Sequence, residues 1–239
     1  MYIPPAFRED RADVLNAFIR RYAFGTLVSA VGGEPFATHL PFLLDASRGE
    51  HGTLLGHMAR ANPHWRAFAG GPDGPPLGGA AAEVLVLFQG PHAYVSPSWY
   101  TTEFAVPTWN YVAVHAYGRP RVVEDPAAVR DLLERTVRTF ESPRPPDAQW
   151  RMDRLDAGMV AKMAQAVTAF EVPISRLEGK QKLNQNRTEA DRRGVVAGLR
   201  REGDPLGADV AALMAATLPS PGGPGPAGAA GRTSDGPGA

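Results

Sequence analysis

The stretch Gly56-His57-Met58-Ala59-Arg60-Ala61-Asn62-Pro63-His64-Trp65 brings together residue types that bind phosphate. Asn62 suits an N-cap, where its side-chain oxygen accepts from an early helical N–H. Pro63 suits the first helical position, where it wastes no donor. The backbone N–H groups left free at such a junction point outward at the positive end of a helix dipole and attract anions. Arg60, two residues upstream, adds a planar and permanently charged fork, and His57 is a third candidate donor. The same spacing also describes a capped surface helix after a strand, with Arg60 in solvent.

A second concentration of chemistry lies at Lys180, Lys182, Gln185, Asn186 and Arg187, three cations and two amides within eight residues. By residue type alone it fits a solvated basic loop as well as an anion-facing segment. The chain has six histidines, but none forms His-x-His or His-Glu-x-x-His, so the spacing gives no common zinc or non-haem iron site. No metal site is expected. No Gly-x-Gly-x-x-Gly joins a strand to a helix, no Walker A sequence occurs, and no hydrolytic triad order stands out.

Composition narrows the classes further. The 239 residues carry 25 Lys plus Arg against 25 Asp plus Glu, a formal net charge of zero, so no global field draws the chain toward nucleic acid. There is no cysteine, which excludes disulfides, thiolate metal sites and thiol catalysis and fits a reducing compartment. The N-terminal residues lack a basic region followed by an apolar one, and no run approaches the ~18 apolar residues of a membrane span. A cytoplasmic protein without a membrane partner is expected.

The elements that must position these residues follow from periodicity. Val14, Leu15, Phe18 and Ile19 recur at helical spacing within 10–22. The runs 24–31 and 36–44 are β-rich and flank Gly32-Gly33-Glu34-Pro35, a hairpin turn composition. A short strand at 53–56 precedes the helix expected after Asn62. Residues 72–79 form a Gly/Pro-rich loop, and 84–88 is an apolar strand bounded by Gly90-Pro91. Strict alternation over 109–117 puts Trp109, Tyr111, Ala113, His115 and Tyr117 on one face and Asn110, Val112, Val114 and Ala116 on the other. A strand at 121–123 follows Pro120. Asp125-Pro126 starts a helix to about Phe140, and shorter helices are expected around 148–155 and 158–163. A last strand covers 168–177, an arginine-dense helix covers 188–201, and 209–218 adds a final turn or two. Residues 1–218 read as one domain, whereas 219–239 is a Gly/Pro/Ala-rich tail expected to be disordered. Strands interrupted by single helices, with helices gathered in the second half, indicate an α+β, mostly β, antiparallel barrel with peripheral helices.

Six ordered motifs carry a resemblance. Besides 56–65 they are Met1-Tyr2-Ile3-Pro4 with Phe7, Thr38-His39-Leu40-Pro41-Phe42, Phe88 to Tyr100, Val106 to Gly118, and Lys180 to Arg187. In order and spacing they resemble the PaiB-type FMN-binding proteins, described as negative transcriptional regulators, over roughly residues 1–205. The resemblance implies a split β-barrel similar to the pyridoxamine-phosphate oxidases, a homodimer, and FMN held at the subunit interface. It implies that Arg60 neutralises the phosphate while His57 and the backbone around Met58, Ala59 and Asn62 supply donors. It further implies that the flavin ring lies along the strand of Thr38, His39 and Leu40, although His39 reads equally as a packed strand residue; Gln89, ending an apolar strand, is placed either to meet the flavin edge or as a turn amide. Lys182, Gln185 and Asn186 approach the flavin or a ligand over it, with Asn184 standing where some relatives carry serine. A regulator role is the first reading. An FMN-dependent oxidoreductase acting on a small molecule is the alternative, with Trp99, Tyr100, Trp109 and Tyr111 as candidate aromatic walls. Haem-utilisation proteins share the split barrel, so a histidine-ligated haem is a third, minor reading. No helix-turn-helix pair is visible, which leaves direct DNA contact to the arginines of 187–201.

Overall fold

In the computed structural model, residues 1–31, 34–69 and 83–219 are described. The loop expected at 72–79, the Gly32-Gly33 part of the hairpin turn, and all of the tail except Pro219 lie outside them. The strands are β1 (Arg8–Glu9), β2 (Phe24–Val31), β3 (Glu34–Pro41), β4 (Leu43–Asp45), β5 (Thr53–Ala59), β6 (Val84–Val95), β7 (Thr108–Gly118), β8 (Arg121–Val123) and β9 (Val167–Lys182). The helices are α1 (Ala12–Arg21), α2 (Arg66–Ala69), α3 (Pro126–Glu141), α4 (Ala157–Gln165), α5 (Glu189–Glu202) and α6 (Pro205–Ala216). Every strand pairing is antiparallel, in the order β3-β2-β6-β7-β9-β5-β4, with β1 and β8 also on β9. This is the mostly antiparallel, helix-flanked sheet that the element pattern predicts.

The core forms where alternating strands turn one face inward. Asn110, Val112, Val114 and Ala116 are all buried on β7, whereas Trp109 on the other face is exposed and Tyr111, His115 and Tyr117 are half-buried. Inside, Phe42 meets Phe88 and Phe170 edge-on, with ring centroids 5.7 and 6.2 Å apart. Leu15 and Ile19 of α1 close this interior. A second cluster joins Ala93, Val95, Val112 and Leu183 to α5 and α6, and a third joins Leu43, Leu55 and Ala169 to Val129 and Leu132 of α3.

Several boundaries differ from the periodicity. The run 36–44 breaks at Phe42, whose N–H turns to Ala23 O at 2.8 Å, so its ring drops into the core. The strand at 53–56 runs on to Ala59. Strand β6 does not stop at Gly90-Pro91 but passes through them by a bulge between Gln89 and His92. Proline cannot donate to a ladder, and the bulge accommodates it. A Cβ at Gly90 would lie 2.7 Å from the Phe18 ring, so the bare backbone there admits α1. Strand β9 extends to Lys182, which makes Lys180 and Lys182 ladder residues rather than loop residues. Two 3₁₀ turns, Pro146–Ala148 and Met152–Arg154, replace the helix expected at 148–155. Helix α6 starts at Pro205, capped by Asp204 through Gly207 N–H at 2.6 Å, earlier than the apolar pattern suggests.

Helix α5 is pinned to the Trp99 turn by close approach and by charge. A Cβ on Gly194 would sit 2.0 Å from Trp99 O, and one on Gly198 would sit 2.3 Å from the Trp99 ring. Asp191 accepts from Thr101 N–H and Oγ1 at 2.8 Å each, from Thr102 N–H at 3.0 Å, and from Thr102 Oγ1 at 2.7 Å. These four bonds hold its carboxyl well below the usual carboxylate range. Because the clashing atom at Gly194 is backbone, relief requires moving the helix. Gly194→Ala is expected to lower unfolding stability by about 1–3 kcal/mol, read by urea denaturation.

Candidate functional site

The barrel is open between β3 and the end of β5. Strand β3 pairs only with β2 among the described strands, so one row of its backbone N–H and C=O groups stays open. Facing it, the chain leaves β5 through Arg60 N–H to Ala166 O at 2.8 Å and Asn62 N–H to Ala59 O at 2.9 Å. Asn62 caps as its type predicts, accepting from His64 N–H at 3.0 Å. Beyond Asn62 the chain forms not the expected full helix but a 3₁₀ turn, Pro63–Trp65, and the four-residue α2. So short a segment sums few peptide dipoles. The helix-end anion site expected from the spacing is therefore not formed here.

His64 closes the gap. It is fully buried, with Nε2 2.7 Å from Ser29 Oγ and Nδ1 2.8 Å from Thr38 Oγ1, and Asn62 Nδ2 donates to the same Thr38 oxygen at 3.2 Å. A neutral imidazole donates from one ring nitrogen and accepts at the other, which matches two hydroxyl partners. Burial pushes its pKa down to about 4. Sequence reasoning placed no role on His64, because a histidine after Asn-Pro reads as a surface residue. Its position inside the 56–65 motif was the available signal.

The proposed cofactor residues fall into two groups. Asn62 meets Thr38 across the opening, Leu40 and Met58 are buried in the core beside it, and Ala59 ends β5 with Arg60 following. Arg60 is drawn toward α4, donating through Nε to Gln165 O at 2.8 Å and Nη2 to Val167 O at 2.9 Å. Two of its five N–H groups are used in this way. His57 shares a strand face with Leu55, which packs with α3. Its Nδ1 is buried without a hydrogen-bond partner, and burial lowers its pKa. His39 points to the opposite face of β3 from Thr38, with Nδ1 3.0 Å from Thr26 Oγ1.

That opposite face carries the second group. Cross-strand register runs His39–Thr26–Leu87–His115–Glu178 across five strands. Next to this row, Leu87, Gln89, His92, Trp109, Tyr111 and Ala113 line a cleft of about 320 Å³. Lys182 is paired with Tyr111 in register, and its Nζ donates to Thr108 Oγ1 and, at 2.6 Å, to Trp109 O. Burial and the neighbouring Lys180 lower its pKa. Gln185 is occupied with backbone, accepting from Leu183 N–H at 2.8 Å and donating to Gln181 O, whereas Asn186 is exposed in the turn. Asn184 has φ +60° and donates to the Tyr100 hydroxyl at 3.0 Å. An open β-edge with a guanidinium and an amide at the facing strand end forms a donor set that fits a phosphate-bearing ring system.

The unfolded chain takes up a proton at His64 near the ordinary histidine pKa of about 6.5, whereas the folded chain does not until about pH 4. Its contribution is intact above pH 6.5 and declines as pH falls toward 4. The difference is about 3 kcal/mol when the shift is fully expressed. Urea midpoints are expected to fall between pH 7.5 and 5, and His64→Gln should flatten that slope. His57 and His115, whose pKa values are also lowered by burial, leave a residual slope.

Among the described residues no helix is long and apolar enough to cross a membrane. The profile of a family described as "Putative FMN-binding domain" matches residues 1–176. The protease synthase and sporulation protein PAI 2 of Bacillus subtilis is 36% identical over 214 residues, covering 90% of this chain and 96% of the relative. An uncharacterized protein of Emericella nidulans is 31% identical over 247 residues, covering 90% and 96%. Among solved structures, the FAD and heme binding protein from Mycobacterium smegmatis superposes with a TM-score of 0.53 at 18% identity over 73% of each chain. The flavocytochrome Anf3 from Azotobacter vinelandii gives 0.50 at 15% identity over 76% of this chain and 70% of its own. These two share the fold, a split barrel. The extent of the family match, together with the identity to the Bacillus relative, establishes that the chain belongs to the FMN-binding family, with FMN as its cofactor.

Proposed function

We propose that this protein is a PaiB-like FMN-binding regulator, a homodimer that holds its flavin at the subunit interface, with residues 1–218 acting as one unit. The observation that carries the reading is the open edge of β3 facing the strand end Met58–Asn62. The open backbone row at Thr38, His39 and Leu40 suits the polar edge of the ring. Arg60 and Asn62, with His57 and the N–H groups of Met58 and Ala59, suit the phosphate. Bound FMN supplies one- and two-electron chemistry, and the chain's part is to orient the ring and control what reaches it. The dimer is supported by the outer sheet face, where Phe24 is 68% and Trp109 54% exposed beside half-buried Leu87 and Tyr111. Gln89, Lys182, Gln185 and Asn186 lie on or beyond that face, where a partner subunit would bring them toward a second flavin. The regulator role rests on likeness to PAI 2, and the zero net charge favours indirect action over direct DNA contact.

The aromatic cleft beside Lys182 favours one second reading, an FMN-dependent oxidoreductase whose small substrate enters over Trp109 and Tyr111. NAD(P)H consumption by the loaded protein supports it. Retention on DNA that depends on sequence and falls with salt supports the regulator.

The first test is the absorbance spectrum of the purified protein, with mass identification of the molecule released on denaturation. Flavin bands with released FMN are expected. Arg60→Ala should weaken FMN binding about 10- to 100-fold, as expected for a lost charge-assisted bond, with Arg60→Lys intermediate. Because Arg60 also ties β5 to Gln165 and Val167, thermal unfolding must be recorded alongside. Full FMN retention in a folded Arg60→Ala protein would refute the phosphate assignment.

A further inference from the structure

On the far side of β5 from the open edge, α3, α4 and the outer face of β9 line an open-mouthed cleft of about 620 Å³, with Val129, Val160 and Ala169 buried at its floor and Ala157 and Ala161 exposed at its mouth. Its origin is visible in α4. Ala157, Val160, Ala161 and Ala164 recur at helical spacing and face the cavity, and three of the four are alanine. The helix thus presents almost no side-chain volume to the wall formed by Val123, Val129, Val167 and Ala169. The volume lies within the range of small-molecule sites, about 300–1,000 Å³.

The rim sets the chemistry of the occupant. Arg60 and Arg130 stand there with Glu124, and Arg130 donates to Glu134 at 2.8 Å. Two arginines against two carboxylates leave no net field to favour an ion. Trp65 adds an aromatic surface, and the Gln165 side chain adds a neutral amide. We infer that this cavity between α3, α4 and β9 binds an uncharged, largely apolar small molecule with a single hydrogen-bonding group at the rim. FMN is a poor fit because its ribityl hydroxyls would lie against valine and alanine. The site is therefore separate from the flavin site, although Arg60 and the β5–β9 junction form a wall common to both.

The test uses 1-naphthol and 1-naphthoate, close in shape but respectively neutral and anionic at pH 7, titrated calorimetrically into the full flavin-loaded chain. One equivalent of 1-naphthol per chain is expected, with 1-naphthoate about tenfold weaker or worse, a gap of one decade in affinity. Ala164→Phe and, separately, Ala161→Leu fill the cavity and should each reduce 1-naphthol affinity about tenfold or more. Flavin content and unfolding midpoint are recorded for every variant. Absence of saturable 1-naphthol binding overturns the inference, as does unchanged affinity in whichever filling variants fold. Equal affinity for 1-naphthoate overturns the uncharged assignment. Flavin content is measured independently, so failure of the flavin assignment is distinguishable from failure of this one.

Discussion

The change of partner along β9 is the constraint on which the other elements depend. Over its C-terminal half this strand pairs with β7, from Gly118↔Ile174 to Tyr111↔Lys182, and over its N-terminal half with β5 and β8. The changeover falls at Pro173, which has no N–H to offer either ladder. There a Cβ on Gly118 would lie 2.2 Å from Pro173 O, so only glycine lets β7 pass so close. One half of β9 holds the end of β5, and hence Met58 to Asn62, against the opening. The other half delivers Lys180 and Lys182 to the outer face. Both groups of candidate cofactor residues thus hang from a single sixteen-residue strand.

Buried polar groups divide the molecule in a similar way. The His64, Ser29 and Thr38 cluster and the Asp191 clamp on Thr101 and Thr102 are satisfied by short bonds, and each ties together segments distant in sequence. Satisfied networks of this kind specify one arrangement of the chain more than they add stability. His57 Nδ1 and His115 Nδ1, by contrast, are buried without partners. A buried unpaired polar atom is costly. His57 lies next to the strand end that carries the proposed phosphate donors, and His115 lies on the row that crosses the outer face.

Local chemistry was legible in the sequence wherever one residue type settles the outcome. The Asn62 and Asp125 caps form as their types predict, and the alternation from Trp109 to Tyr117 divides into a buried and a more open face. Legibility failed where pairing overrides composition. Ser175, Arg176 and Glu178 break the apolar pattern, so β9 looked finished at Leu177, yet Arg176 and Glu178 pair with each other while the ladder with β7 continues. Gly90-Pro91 looked like a terminator because a bulge depends on α1 packing from about seventy residues away. The carbonyls that hold Arg60 belong to Gln165 and Val167, more than a hundred residues along the chain, and its own neighbours in sequence do not indicate them. Spacing cannot report such contacts. The resemblance carried the cofactor assignment because it compares whole ordered motifs rather than local windows.

The geometry also explains why one scaffold accommodates both a sensor and an oxidase reading. Flavin chemistry resides in the cofactor, so on the proposed reading the fold's contribution is the β3 edge for the ring and a partner surface to cover it. The edge is a property of β3 as the outermost strand and does not change with function. The covering surface is the outer face of β6, β7 and β9, where Gln89, Trp109, Tyr111 and Lys182 converge on an open cleft. If a second subunit fills that cleft, substrate is excluded and the flavin reports on its surroundings. If the cleft stays open beside the ring, a small molecule can exchange electrons with it. The distinction between regulator and enzyme therefore turns on how far the partner's surface enters the cleft between Trp109 and Gln89, a question of side-chain volume rather than of catalytic motifs.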